Sequence, residues 1–168
     1  EDIAVINKLG LSAIVVHGGG KNIKLKLDKL NKETKFIDGL RVTDTETVKV
    51  VEEALMELNL EIIDQLNNFN AKAMSVAPMN NNVIKIIPEK KELGFVGSPK
   101  QINSEILIEA INLNIIPLIV PMGIGEDNKI YNINADTTAG AIAKELKARR
   151  LLLMTDVEGV LDQNKNLI

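Results

Sequence analysis

Three consecutive glycines, Gly18–Gly20, separate an apolar run from a stretch with the spacing of an amphipathic helix. The apolar run at 12–16 predicts a buried strand, and the stretch at 21–30 predicts a helix with leucine and isoleucine on one face. A strand-to-helix turn without side chains exposes backbone N–H groups at the positive end of a helix dipole, where a phosphate oxygen can approach closely. The triplet therefore predicts an anion site, and a tight turn without a ligand is the alternative.

The triplet matches neither of the two common glycine-rich phosphate motifs. The Gly-x-Gly-x-x-Gly motif would need a glycine where the chain has Ile23. The P-loop would need a glycine in place of Val15, and a serine or threonine in place of Asn22 after Lys21. We therefore expect a phosphate-binding turn of another type.

Composition excludes several classes of site and partner. The 168 residues carry 20 basic and 23 acidic side chains, a formal net charge of −3, so no basic surplus indicates a nucleic-acid or anionic-membrane partner. The lack of cysteine and the single histidine, His17, leave no thiolate or histidine cluster for a metal site. No apolar stretch is long enough to span a membrane, and we expect a soluble cytoplasmic protein.

Short apolar strands alternate with helical stretches along the chain, which predicts an α/β protein with a mainly parallel sheet. The segments 35–42 and 71–87 are predicted as antiparallel hairpins, the first through Asp38 and Gly39. Pro117 predicts that its strand lies at an edge or contains a bulge. Further strands are predicted at 115–120, 129–133 and 150–155, and helices at 45–69, 104–113 and 135–147.

The segment Asp38–Asp44, DGLRVTD, contains one of the three arginines of the sequence. The planar guanidinium of Arg41 can hold a carboxylate through two parallel hydrogen bonds, which lysine cannot do. A solvated hairpin arginine is the alternative. At the end of the segment either Thr43 or Asp44 can cap the next helix, and Thr43 with Glu46 has capping-box spacing.

The segment Tyr131–Gly140, YNINADTTAG, contains polar residues where a strand passes into a helix. Alternation along a strand places Asn132 and Asn134 on one face, at the carboxyl edge where open α/β sheets bind ligands. Amides suit a polar substrate, and the carboxylate of Asp136 can orient lysines or a metal. Helix capping by Asn134 or Asp136 is the alternative, and capping does not exclude a second role.

The segment Leu151–Asp162, LLLMTDVEGVLD, predicts a buried strand that ends at Thr155 and Asp156 and leads into a glycine loop. This arrangement is typical of a nucleotide-binding edge. An ordinary strand exit with a turn at Glu158 and Gly159 is the alternative.

Five segments in this order, VVHGGG, DGLRVTD, LGFVG, YNINADTTAGAIA and LLLMTDVEGVLD, make nearly the whole chain similar to the amino acid kinase family. The combination of HGGG, GLRVT and NINAD resembles members that act on N-acetyl-L-glutamate in arginine biosynthesis. The resemblance implies a three-layer αβα sandwich. It also implies transfer of the γ-phosphoryl group of ATP, with Mg²⁺ on the nucleotide, to the side-chain carboxylate of that substrate. Glutamate or carbamate kinases of the family, and a non-catalytic ligand-binding module, stay open as alternatives.

The resemblance also implies roles for individual residues. The amides of Gly19 and Gly20 would hold the substrate and the transferring phosphoryl group, Arg41 would bind the α-carboxylate, and Asp136 would organise the catalytic lysines. The substrate-binding residues would be Gly19, Gly20, Arg41, Asn132 and Asn134. The nucleotide-binding residues would be Gly18, Thr155, Asp156, Val157, Glu158, Gly159, Val160 and Leu161.

This sequence differs from the family pattern in several features. Two phosphate-neutralising lysines of the family would precede residue 1 and follow residue 168. We therefore expect residues 1–168 to form one domain that lacks both ends and has little activity by itself. The stretch SVAPMNNN at 75–82 replaces a turn with glycine and aspartate. The family often forms homodimers through a central helix, which would fall at 46–67.

Overall fold

The computed structural model describes residues 1–154, apart from the side chains of Asn80 and Asn81. Its α-helices are α1 (Asp2–Lys8), α2 (Gly20–Lys29), α3 (Thr45–Asn68), α4 (Pro78–Asn81), α5 (Glu105–Asn112) and α6 (Ala135–Glu145), with a 3₁₀ turn at Lys91–Leu93. Its strands are β1 (Val15–Val16), β2 (Phe36–Ile37), β3 (Leu40–Arg41), β4 (Ala73–Val76), β5 (Ile84–Pro88), β6 (Gly97–Ile102), β7 (Ile116–Ile119), β8 (Met122–Ile124) and β9 (Ile130–Asn132).

A parallel three-stranded sheet, in the order β1-β7-β4, is covered by helices on both faces. On one face, Ile116 of β7 packs in a cluster with Leu66 of α3. On the other face, Ile119 packs in a cluster with Leu107 of α5 and Ile142 of α6. Because alternate residues of a strand point to opposite faces, β7 is buried on both sides. The predicted αβα layering and α/β class are confirmed.

A second, mixed sheet has the order β6-β5-β8-β9. Strand β4 pairs with β7 in the first sheet, whereas β5 pairs antiparallel with β6 in the second. The predicted antiparallel hairpin over 71–87 is therefore wrong. The physical reason is that α4, with Pro78 at its start, separates the two strands and sends them into different sheets.

The hairpin of β2 and β3 is confirmed. Asp38 and Gly39 have φ angles of 51° and 80°, and the pairs Phe36–Arg41 and Ile37–Leu40 flank them. Positive φ at both central residues is the geometry of the two-residue turns that match strand twist.

Pro117 lies in β7, the central strand, whose pairing with β1 and β4 has no register shift, so the predicted edge position or bulge is wrong. The N–H groups of Ile116 and Val120 donate toward β4, and strand alternation turns the nitrogen of Pro117 toward β1. Pairing with β1 begins one residue later, at Leu118, so the missing N–H removes no ladder bond.

The predicted buried strand at 150–155 is wrong over its described part. Leu151–Met154 form no strand, and Met154 is 90% exposed. A strand needs a neighbouring strand to satisfy its backbone groups, and no strand among residues 1–154 pairs with this segment. Within the described chain, no helix has the length and apolar character needed to cross a membrane.

Candidate functional site

The glycine turn connects the carboxyl end of β1 to the first residue of α2. A side-chain carbon added at Gly18 or Gly20 would meet no atom within 4 Å, so the turn faces open space. Helix α2 has Gly19 as its N-cap and no side chain that caps it. Among residues 1–154, no backbone carbonyl accepts a hydrogen bond from the N–H groups of Gly18, Gly19 or Gly20. These donors are therefore free to bind an anion at the positive end of α2.

Gly19 is a glycine for a steric reason. A side-chain carbon at this position would lie 2.5 Å from Cδ2 of Leu55, a residue of α3 that is only 2% exposed. Real carbon contacts are not this short, and a buried leucine cannot move away freely. The turn can therefore approach α3 closely only because Gly19 has no side chain.

Arg41 is the buried cation of the site. Its residue is 8% exposed, and its guanidinium lies 4.9 Å from the ring centre of Phe36. Nη1 donates to Oγ1 of Thr34 at 3.2 Å, and Nη2 donates to the carbonyl of Gly20 at 3.5 Å. No acidic side chain within residues 1–154 pairs with it. Burial lowers the pKa of the guanidinium, which nevertheless stays charged at neutral pH.

Backbone hydrogen bonds connect the Arg41 hairpin to Asn132. The N–H of Thr43 donates to Leu93, the N–H of Phe95 donates to Thr43, and the N–H of Asn132 donates to Phe95. Gly94 passes so close to Thr43 that a side-chain carbon would lie 2.3 Å from its carbonyl oxygen. The segment LGFVG is therefore the bridge between the two predicted substrate-binding motifs.

The glycine turn and Asn132 also lie at the same edge of the parallel sheet. Val16 and Ile119 are paired in register, so Gly18 and Pro121 both lie two residues beyond the paired strands. The N–H of Ile133, next to Asn132, donates to the carbonyl of Pro121 at 3.0 Å. The half-buried Asn132 is thus held at the carboxyl edge, where ligands of α/β sheets bind.

The start of α6 supplies Asn134 and Asp136, both exposed. The side-chain oxygen of Asn134 accepts from the N–H of Thr137 at 3.0 Å and from its hydroxyl at 3.3 Å, so Asn134 caps the helix. Strand β9 ends at Asn132, and the expected alternation does not extend to Asn134. Asp136 lies in the first turn of α6. Capping occupies the oxygen of Asn134, and a substrate role for either residue stays a prediction.

Two depressions of the described residues lie away from this edge. Two shallow cavities, of about 490 and 390 Å³, open beside β5 and β6 and share Asn82, Lys85 and Gln101 as lining residues. Neither contains a predicted site residue. We place the site at the glycine turn because buried charge and unpaired donors, rather than volume, recognise a small anion.

The remaining residues are the predicted nucleotide-binding segment and one buried polar residue that was not predicted. Thr155–Leu161, predicted to bind the nucleotide, lie outside the described residues. Asn59, which the sequence analysis missed, is fully buried on α3 and donates to His17 and to the carbonyl of Leu118. The sequence could have indicated Asn59, because it is a polar residue on the apolar face of the helix that includes Val51, Leu55 and Leu66.

Three curated proteins that are similar to this chain share one name. The chain is 53% identical over 168 residues to the acetylglutamate kinase of Pelagibacter ubique, and covers 58% of it. It is 43% identical to the acetylglutamate kinase of Rhodospirillum centenum and 42% identical to that of Campylobacter fetus subsp. fetus, with 60% and 61% of these proteins covered. The whole chain is aligned in all three. It therefore spans about three fifths of the length of the curated relatives it matches.

Solved structures share the fold. The protein smu.665 from Streptococcus mutans superimposes with a TM-score of 0.90 at 30% identity, over 96% of this chain and 67% of that one. The N-acetylglutamate synthase of Neisseria gonorrhoeae superimposes with a TM-score of 0.83 at 18% identity, over 99% and 39%. The amino acid kinase family model matches residues 1–168. With the geometry above, this match shows that the chain belongs to the amino acid kinase family.

Proposed function

We propose that the protein containing this chain transfers the γ-phosphoryl group of ATP to the side-chain carboxylate of N-acetyl-L-glutamate, a step of arginine biosynthesis. The observation that carries the proposal is Arg41, a buried guanidinium without an acidic partner among residues 1–154. A buried cation without a counter-ion lowers the stability of the fold, and the α-carboxylate of the substrate would supply the counter-ion for Arg41. The names of the curated relatives support the choice of substrate.

The chemistry needs no general base. The side-chain carboxylate of a glutamate has a pKa of about 4.3 and is an anion at neutral pH. One of its oxygens attacks the γ-phosphorus of ATP, the bond to the bridging oxygen breaks, and ADP leaves with the electron pair. Catalysis then consists of aligning two anions and balancing the charge on the phosphoryl oxygens.

The glycine turn is suited to that second task. Among residues 1–154 no backbone carbonyl accepts from the N–H groups of Gly19 and Gly20, and Nη2 of Arg41 lies close by, 3.5 Å from the carbonyl of Gly20. In the proposal, these amides hold the carboxylate and the transferring phosphoryl group, while Arg41 holds the other end of the substrate. One preorganised donor of this kind contributes about 3 kcal/mol to catalysis. Asn132 would bind the acetylamino group from the opposite motif.

Mg²⁺ would enter with the nucleotide. Within the described residues, no group of three acidic, histidine or cysteine side chains is arranged to hold a metal ion. Mg²⁺ bound to a nucleotide takes most of its oxygen ligands from the phosphates and from water. Asp136 keeps its predicted role in organising cationic groups near the phosphates, and 155–161 keep theirs at the nucleotide.

Hydroxylamine trapping tests the proposal directly. The full-length protein is incubated with ATP, Mg²⁺ and N-acetyl-L-glutamate, and the acyl phosphate is captured as a coloured hydroxamate. Parallel reactions contain L-glutamate, or carbamate with a readout of ADP release. We expect turnover with N-acetyl-L-glutamate and little with the other two. Preference for another acceptor, or no turnover with any of them, would contradict the proposal.

The proposal includes a soluble cytoplasmic enzyme and a homodimer formed through α3. Leu60 of this helix is 54% exposed, and contact with a second copy would remove it from water. Sedimentation velocity of the full-length protein tests the assembly, and a monomer at all concentrations would contradict it.

A further inference from the structure

Helix α3 supports the glycine turn at two points that are one helical turn apart. Leu55 lies beneath Gly19, and Asn59 contacts the histidine that precedes the glycines. Residues four apart share one face of a helix. The contact with Leu55 fixes the position of the turn. The contact of Asn59 with His17 reaches the polar backbone of the turn, because His17 bonds the carbonyl of Gly18.

Asn59 makes two hydrogen bonds from a fully buried position. Its amide nitrogen donates to the carbonyl of Leu118 at 3.1 Å and to Nε2 of His17 at 3.1 Å. The carbonyl of Leu118 can only accept, so the NH₂ group of Asn59 must face it. The same orientation directs the second N–H of Asn59 to Nε2 of His17, which must then be the unprotonated nitrogen of the ring.

His17 passes this constraint to the glycines. With Nε2 unprotonated, the ring proton of neutral His17 lies on Nδ1, and Nδ1 donates to the carbonyl of Gly18 at 2.9 Å. Burial lowers the pKa of His17, while its bond to Gly18 acts in the opposite direction and is the smaller effect. The neutral ring therefore has one donor and one acceptor, and each has its partner.

The orientation of the Gly18 carbonyl sets the direction of the next amide. In a trans peptide the C=O and N–H bonds point in opposite directions. Because the carbonyl of Gly18 points at the ring of His17, the N–H of Gly19 points away from it. Glycine imposes little conformational preference of its own, so this peptide needs an outside hydrogen bond to hold it.

We propose that Asn59 is a positioning residue that, through His17, fixes the Gly18–Gly19 peptide and directs the Gly19 N–H at the transferring phosphoryl group. The use of that N–H rests on the function proposed above. The side-chain oxygen of Asn59 supports the assignment, because it is buried without a partner among the described residues. A buried unpaired oxygen lowers stability, so a stability role alone does not explain an asparagine at this position.

The first measurement is the tautomer of His17 in the full-length wild-type protein, from the ¹⁵N chemical shifts of its imidazole at neutral pH. A His17→Gln variant assigns the signals. We expect the proton on Nδ1 and none on Nε2. A ring protonated at Nε2 would overturn the proposal, whatever the protein phosphorylates.

The second measurement compares Asn59→Leu with Asn7→Leu. Asn7 is the matched control, because it is a buried asparagine of α1 that bonds Asn114, remote from the glycine turn in the fold. We expect Asn59→Leu to mix the two tautomers of His17 and to lower kcat about tenfold, with KM for N-acetyl-L-glutamate changed less than about threefold. The Asn7 variant should leave the tautomer and kcat unchanged.

The possible results separate the two proposals. Unchanged kcat and tautomer in Asn59→Leu would overturn the role of Asn59. An equal loss of kcat in both variants would reduce that role to general stability, and would also overturn it. A wild-type protein that forms no hydroxamate would contradict the proposed function alone, and the His17 spectrum would still decide for or against the hydrogen-bond chain.

Discussion

The N-termini of α2 and α3 satisfy their N–H groups differently. At α3, the carboxylate of Asp44 accepts from the N–H groups of Glu46 and Thr47, at 3.1 and 2.7 Å. At α2, the N-cap is Gly19, no side chain caps the helix, and its first turn contains no acidic residue. One helix carries its own anion, and the other leaves that place open.

This difference separates a structural helix start from a binding one. Both termini have the same partial positive charge, and a carboxylate stabilises either of them. The chain supplies the carboxylate at α3, and the nearby cation Lys32 pairs with it at 2.8 Å. At α2 the chain supplies Arg41 beside the turn, and among residues 1–154 no acidic side chain pairs with this guanidinium.

Arg41→Lys is expected to have the largest effect. Lysine keeps the charge but cannot form the paired hydrogen bonds of a guanidinium with a carboxylate. We expect KM for N-acetyl-L-glutamate to rise about 100-fold, with a smaller change in kcat, because the α-carboxylate does not react. Steady-state kinetics of the full-length enzyme measure both constants.

The control for this variant is Arg149→Lys, the same substitution at an exposed arginine. It should leave KM within about twofold of the wild-type value. Equal behaviour of the two variants would mean that Arg41 does not bind the substrate.

Gly19→Ala is expected to have the next largest effect. The added carbon would lie 2.5 Å from Cδ2 of Leu55, so the turn or α3 must shift. We expect a loss of about 1–3 kcal/mol in the free energy of unfolding, measured with urea. Gly18→Ala, whose added carbon meets nothing within 4 Å, should cost less than about 0.5 kcal/mol.

A double-mutant cycle identifies the contact responsible. If Leu55 is the obstacle, Gly19→Ala should cost less in a Leu55→Ala background than in the wild type. Additive costs would place the strain elsewhere.

Asp44→Ala removes the anion of the capped terminus. We expect a loss of about 1 kcal/mol in the free energy of unfolding, most of it from the cap, because the ion pair with Lys32 is largely exposed. Asp28→Ala, at an exposed aspartate inside α2, should change stability by less than about 0.5 kcal/mol. Equal costs would remove the distinction between a capped and an uncapped helix start.

The smallest expected effect is on the pH dependence of stability. The hydrogen bond from Lys32, followed by the N–H of Thr47, holds the pKa of Asp44 far below its usual value of 3.8. The unfolded chain therefore takes up this proton first as the pH falls. The ionised Asp44 makes its full contribution to the free energy of unfolding above pH 3.8. This contribution is lost as the pH falls from there toward the lower pKa of Asp44 in the folded state.

Asp44→Asn tests this effect, because asparagine still caps the helix but cannot ionise. We expect the free energy of unfolding of the wild type to exceed that of the variant by about 0.5 kcal/mol at neutral pH. The value is small because the carboxylate of Asp44 is 59% exposed. The difference should vanish in acid. Urea unfolding across the acid range measures it. A difference that grows on acidification would contradict the sign.

The local parts of the structure could be predicted from sequence. The turn at Asp38 and Gly39, helix α6 and helix α2 follow from turn and helix signals a few residues apart. The capping box suggested by the spacing of Thr43 and Glu46 does not form. The hydroxyl of Thr43 donates to the carbonyl of Arg41, and Asp44 caps α3 instead. Both residues were candidates, and the choice depended on how the hairpin enters the helix.

The connections within the site could not be predicted in this way. Leu93 and Phe95 form hydrogen bonds with Thr43 from about fifty positions along the chain, and no periodicity encodes that pairing. The assignment of β4 and β5 to different sheets is also a property of the assembled fold. Arg41, Asn132 and the glycines could be chosen individually as candidates, because a guanidinium, an amide and backbone N–H groups without side chains each suit an anionic substrate.

The central claim is that an anionic substrate binds at the uncapped terminus of α2 and not at the capped terminus of α3. Selective ¹⁵N-glycine and ¹⁵N-threonine labelling of the full-length protein makes both termini visible in one amide spectrum. On addition of N-acetyl-L-glutamate with a non-hydrolysable ATP analogue and Mg²⁺, the amide signals of Gly18, Gly19 and Gly20 should shift, while that of Thr47 stays in place. Unmoved glycine signals at saturating ligand would contradict the account.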